Sequence, residues 1–204
     1  MAEGTARVEA FSDGVFAIAI TLLIPEIHAP EAGAAGGLWA GLLALWPSYV
    51  AFLLSFFVIL VMWVNHHELM RLVRVVTYPL LFANGLLLLT VTFVPFPTAV
   101  LAQHLATPEA KVAVAFYCGT FVVNSLGWGL VFATMVRGRL FHAGVDAGTI
   151  RRVRRAYLVG PLVYVAATLV ALRQPLLGLA LNASLWLLWI RLGYRETAEG
   201  RKRL

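Results

Sequence analysis

The sequence predicts an all-α integral membrane protein of six transmembrane helices, and three observations carry that prediction. Of its 204 residues, 61% are hydrophobic and only 13% are charged, against about 25% charged in a soluble domain. A mean hydropathy of +0.84 beside a sequence pI near 10.0 describes apolar segments joined by arginine-rich loops. Several windows approach or exceed the roughly 20 apolar residues that cross about 30 Å of hydrocarbon. Too little polar surface remains to wet a globule, which excludes an ordinary cytosolic enzyme.

The windows are 8–27, 47–64, 79–101, 112–136, 157–172 and 175–192. Ahead of the first, residues 1–6 lack a basic leader, and Arg7, Glu9 and Asp13 interrupt the apolar run, so it reads as a retained span and not a secretory signal. Residues 33–45 fit a loop, an interfacial helix or an extension of the second span. Pro47, Pro79 and Pro175 stand where a first helical turn tolerates a missing N–H. Pro95 and Pro97 fall inside the third window, whose outer end should therefore kink or unwind. No internal repeat divides the chain, so 1–204 reads as a single domain. Cys118 stands alone among apolar neighbours and reads as a buried bystander, with no disulfide or thiolate metal site.

Orientation follows from the excess of Lys and Arg that cytoplasmic loops retain. With both termini inside, the inner loops and ends hold Arg7; Arg71 and Arg74; Arg137, Arg139, Arg151, Arg152, Arg154 and Arg155; and Arg191, Arg195, Arg201, Lys202 and Arg203. Of the 16 basic residues, only Lys111 and Arg173 then lie outside. Such juxtamembrane arginines hold topology and touch anionic headgroups, so no nucleic-acid partner is expected.

The first span carries the unusual chemistry. Ser12, Asp13 and Gly14 lie in apolar surroundings, where an ionisable group is costly and needs a partner. Arg7 on the same helix does not face Asp13, because six residues turn the chain about 120° away. Depth matching names residues from other helices: Trp63, His66 and His67 at the inner end of the second span, and Asn84 about 7 Å into the third. An indole N–H, an imidazole and an amide can satisfy a hydroxyl and a carboxylate that lipid cannot. The expectation is an inner-leaflet hydrogen-bond network of Ser12 and Asp13 with Trp63, His66 or His67, and Asn84. The plainer alternative makes Ser12 an N-cap for a helix starting at Asp13. His66-His67-Glu68 is not expected to hold a metal, because adjacent helical residues diverge by about 100°.

Wound at about 100° per residue, Phe11, Gly14, Ile18, Thr21, Leu22 and Pro25 fall within roughly 60° of Ile18, while Ser12 and Asp13 lie more than about 100° off. Taken alone, such an apolar stripe reads as lipid contact or bundle core, and Thr21 reads as bonding back to the Ala17 carbonyl.

The run Arg7-x-x-x-Phe11-Ser12-Asp13-Gly14, followed by Val-Phe-Ala-Ile-Ala-Ile-Thr-Leu-Leu, resembles the first-span signature of the transmembrane protein 175 family in its bacterial form. The six-span length and the Trp63 to His67 cluster fit the same family. The resemblance implies a potassium-permeable channel without a Thr-Val-Gly-Tyr-Gly filter, built as a homotetramer in the plasma membrane with four first helices around the pore. It places the narrowest aliphatic ring on Ile18, with Thr21, Leu22 and Pro25 as further pore positions. Pro25 is a departure, since some relatives carry leucine there. It assigns Arg7 and the Phe-Ser-Asp segment to gating and assembly contacts. Glu26 and Glu31, with Glu109 nearby, read either as an outer mouth that concentrates cations or as ordinary loop charges. Beyond the permeant ion, no cofactor is expected.

A competing expectation is a small secondary transporter that uses Asp13 and His66 or His67 as a proton relay. The lack of repeat symmetry weighs against it. Enzyme chemistry finds no Ser/His/Asp set, metal motif or nucleotide loop.

Overall fold

The computed structural model describes residues 3–31 and 36–200. The first helix, α1 (Glu3–Thr21), starts well before the apolar window. It ends at Thr21 because Pro25 follows four residues later, where its ring opposes that carbonyl and no α-helical N–H exists to bond it. A 3-10 turn, Ile24–Glu26, takes over. One face of α1 is buried at Thr5, Val8, Ser12, Phe16 and Ala19, continuing to Leu23, a spacing of three to four residues that marks a helix packed on one side.

After residues 32–35, which fall outside the described set, Gly36 and Gly37 take positive φ of 88° and 78° and turn the chain into a short helix, α2 (Gly37–Ala44). The stretch ahead of Pro47 is thus a separate helix and not a continuation of the next one. A break at Leu45 precedes α3 (Trp46–Arg71), with Pro47 in its first turn. This helix runs past the apolar window because Leu69 and Met70 are still buried beneath its polar end.

The third window kinks. Helix α4 (Tyr78–Phe93) stops at Val94 and α5 (Pro95–His104) resumes at once. Pro95 and Pro97 donate no backbone bond, and Val94 N–H reaches only to the Val91 carbonyl. Long α6 (Ala110–Arg137) follows. Helix α7 (Ala147–Ala171) begins ten residues ahead of the apolar run because Asp146 caps it, accepting from the Gly148 and Thr149 N–H groups. Its basic first turns expose Arg151, Arg154 and Arg155 while Val153 packs into the core. The last helix is α8 (Pro175–Gly200).

Among the described residues, five stretches are long and apolar enough to cross a membrane: Thr5–Glu26, Trp46–Arg71, Tyr78–His104, Ala110–Arg137 and Ala147–Ala171. The sixth window lies in α8, where the described apolar stretch, Pro175–Trp186, is shorter than the usual 20 or so residues. The side chains of Arg191 and Arg195, and residues 201–203, lie outside the described set.

Helix α6 sits centrally, packed by α4, α5, α7 and α8, whereas α1 packs chiefly on α3 and α4 at the edge. The loops after α3 and α6 are stitched together. Arg74 N–H donates to the Leu140 carbonyl at 2.7 Å and His142 N–H to the Leu72 carbonyl at 3.0 Å. Arg71, Arg74, Arg137 and Arg139 therefore gather at one end of the bundle.

Candidate functional site: the first helix and its polar clamps

Ser12 lies in the middle of α1 and is fully buried. Its hydroxyl donates back to the Val8 carbonyl at 2.8 Å, so it caps nothing; the helix begins nine residues earlier. It accepts from the Asn84 amide nitrogen of α4 at 3.0 Å. That bond leaves Asn84 Oδ1 facing His66 Nε2 of α3 at 2.9 Å. An amide oxygen only accepts, so the imidazole donates from Nε2. Three helices are thereby joined through one amide.

Asp13, about 100° further round α1, belongs to a separate clamp. Its Oδ1 accepts from the Trp63 indole N–H at 2.8 Å, with both side chains partly open to the surroundings. Of the two histidines, His66 is buried in the chain of bonds, while His67 is exposed and outside it. Arg7 is also exposed, and among the described residues it makes no ion pair with Asp13. His66 packs between Phe16 at 5.4 Å and Trp128 at 6.2 Å, ring centre to ring centre. Its Nδ1 is buried with no partner among the described residues.

Two polar clusters lie outside the set inferred from the sequence. Trp128 Nε1 donates to Asn124 Oδ1 at 3.1 Å, and Asn124 Nδ2 donates to Thr90 Oγ1 at 2.7 Å, tying α6 to α4. In the other half of the bundle, Ser55 bonds Thr98 at 2.7 Å and Tyr117 at 3.1 Å, joining α3, α5 and α6. The signal was there in the form of isolated Ser, Thr and Asn residues inside apolar windows, which need partners as much as Ser12 does.

The opposite face of α1 carries Phe11, Gly14, Ile18 and Thr21, all exposed in the single chain, and Leu22 and Pro25 are exposed beyond its end. The helical winding that placed Pro25 on this stripe does not hold past Thr21, where the 3-10 turn changes the rotation per residue. Ile18 is 58% exposed and Leu22 49%. The Thr21 hydroxyl donates to the Ile18 carbonyl at 2.9 Å, three residues back and not the four expected, in the last turn before the tighter 3-10 segment. Pro25 and Glu26 sit in that segment, which packs on α3 and α5. Glu31 and Glu109 are exposed. Among the described residues, no three His, Cys, Asp or Glu side chains converge on a possible metal position.

A family model described as the endosomal/lysosomal potassium channel TMEM175 matches residues 7–95. That span holds both clamps and the exposed α1 face. A potassium channel of Chamaesiphon minutus is 46% identical over 166 residues, covering 80% of this chain and 82% of that one. A potassium channel of Streptomyces collinus is 48% identical over 160 residues, covering 78% of each. Among solved structures, the crystal structure of a lysosomal potassium-selective channel TMEM175 homolog from Chamaesiphon minutus superposes with a TM-score of 0.81 at 40% identity, covering 93% of this chain and 98% of that one. With identity of this order across most of both chains, the protein is a member of the TMEM175 family, whose members are channels and not enzymes.

Proposed function

We propose that the chain is a potassium-permeable cation channel of the plasma membrane: a homotetramer of six-span subunits with both termini cytoplasmic, whose four first helices surround the ion path. The observation that carries this reading is the division of α1 into two faces. One is locked to α3 and α4 by buried contacts and the Ser12 and Asp13 clamps. The other exposes Ile18 and Thr21, with Leu22 and Pro25 exposed just beyond the helix end. A helix held rigidly at a subunit edge with one unoccupied, nearly apolar face suits a symmetry axis.

Ile18 lies about 16 Å beyond Arg7 along the helix, and four copies make a ring without polar ligands. An ion passing it distorts or sheds its water with no carbonyl oxygens in exchange. Potassium holds water less tightly than sodium, so the barrier penalises sodium more and selectivity is modest. The same ring closes by dewetting when slightly narrower. Glu26 and Glu31 would raise the cation concentration at the outer mouth. The N-in arrangement is supported by the gathering of Arg71, Arg74, Arg137 and Arg139 at one end of the bundle.

Against a proton relay stands the make-up of the clamps. The direct partner of Asp13 is an indole, and that of His66 is an amide, neither of which passes a proton along at neutral pH. The deciding experiment is bi-ionic recording from reconstituted protein. Ile18→Asn is expected to move the potassium/sodium permeability ratio towards one, and an unaltered reversal potential takes Ile18 out of the filter.

A further inference from the structure

Away from α1, the groove between α6 and α7 has an amphipathic lining. It measures about 350 Å³ and is walled by Gly129, Phe132, Ala133, Leu158 and Tyr157, with Arg137 and Arg154 at one end. Both arginines are exposed, and among the described residues neither has an acidic partner. Gly129 opens the far end: a Cβ built there would meet nothing within 4 Å. From Gly129 to Arg137 is about 12 Å along α6, so the apolar limb runs into the hydrocarbon layer while the two guanidinium groups stand at its boundary.

The geometry points to a binding site for an anionic phospholipid. Arg137 and Arg154 clasp the headgroup phosphate, and one acyl chain lies along Gly129, Ala133 and Leu158. Guanidinium groups match phosphate oxygens in paired hydrogen bonds, and basic clefts between membrane helices favour anionic headgroups. A soluble anion would use the arginines and leave the apolar limb empty. A zwitterionic lipid would fill the limb but bring its own cation to the arginines. Only a lipid of net negative charge satisfies both ends. The site depends on α6 and α7 lying in the bilayer and is independent of whether α1 lines a pore.

The test is native mass spectrometry of the full-length protein in detergent with equal amounts of phosphatidylglycerol and phosphatidylcholine of identical chains. The expected result is preferential retention of phosphatidylglycerol, reduced about fivefold by either Arg137→Gln or Arg154→Gln and about 25-fold by both. Arg151→Gln with Arg155→Gln removes the same charge outside the groove and should cost much less. Gly129→Leu fills the apolar limb without touching charge and should also lower retention severalfold. Equal retention of the two lipids, equal loss in the Arg151/Arg155 variant, or full retention by Gly129→Leu overturns the proposal. Arg137→Lys with Arg154→Lys guards against misfolding, because it keeps the charge and is expected to keep the preference in part.

Discussion

Asn84 is the residue on which three helices converge, because its amide can donate and accept at once. The amide donates to Ser12 and accepts from His66; leucine does neither, and a carboxylate cannot donate. Asn84→Leu should therefore lower thermal stability in detergent by about 1–2 kcal/mol, the upper range for polar contacts between membrane helices. Ser12→Ala should cost less, because Ser12 also bonds within its own helix. An unchanged melting temperature for Asn84→Leu would remove the amide as a structural tie. Trp63→Phe keeps an aromatic ring against α1 while stripping Asp13 of its donor, and a loss of about 0.5–1.5 kcal/mol follows from one such bond. The need for partners was legible in the sequence, since a buried hydroxyl and a carboxylate in lipid must be satisfied. Which histidine answers was not. His66 and His67 lie at the same depth, and only the roll of α3, set by Met62, Leu69 and Met70 packing inward, turns one of them towards Asn84.

At the scale of elements, the sequence carried the punctuation better than the neighbours. Pro47, Pro95 and Pro97 each act on the backbone locally, so a start beside Pro47 and a kink near Val94 follow from residue type alone. The window 8–27, wound as helix through Pro25, missed the stop after Thr21 that the same kind of ring imposes. The packing of α7 on α8 depends on shape across two helices and left no such trace. Gly178 shows this: a Cβ there would lie 2.6 Å from the Ala171 Cβ and 2.8 Å from the Ala167 carbonyl oxygen. Backbone cannot yield as a flexible side chain does. Gly178→Ala should force the α7/α8 pair apart and cost about 1–3 kcal/mol. Gly85 on α4 meets nothing within 4 Å, so Gly85→Ala should be neutral or gain up to about 1 kcal/mol from helix propensity. Melting curves of the two variants side by side test the contrast, and equal behaviour would mean that the close approach at Gly178 is relieved at no cost.

For the whole molecule, the question is where the unoccupied face of α1 points once subunits assemble. If four first helices surround an axis, residues on that face meet their own copies, and residues on the outer helices do not. Leu22→Cys in a Cys118→Ser background would place four thiols around one constriction. Thiolates are soft ligands that hold soft divalent ions, and several converging on one point bind far better than one alone. Micromolar cadmium should therefore stop potassium flux into liposomes carrying this variant, and a thiol chelator should restore it. Leu169, 61% exposed on α7, provides the contrast. Leu169→Cys puts the same thiols on the outer side of the bundle, and cadmium should leave its flux unchanged. Removing Cys118 matters little to the comparison, since that thiol is buried and both variants lack it. Cadmium block in both variants, or in neither, would place the exposed stripe of α1 against lipid and the ion path elsewhere.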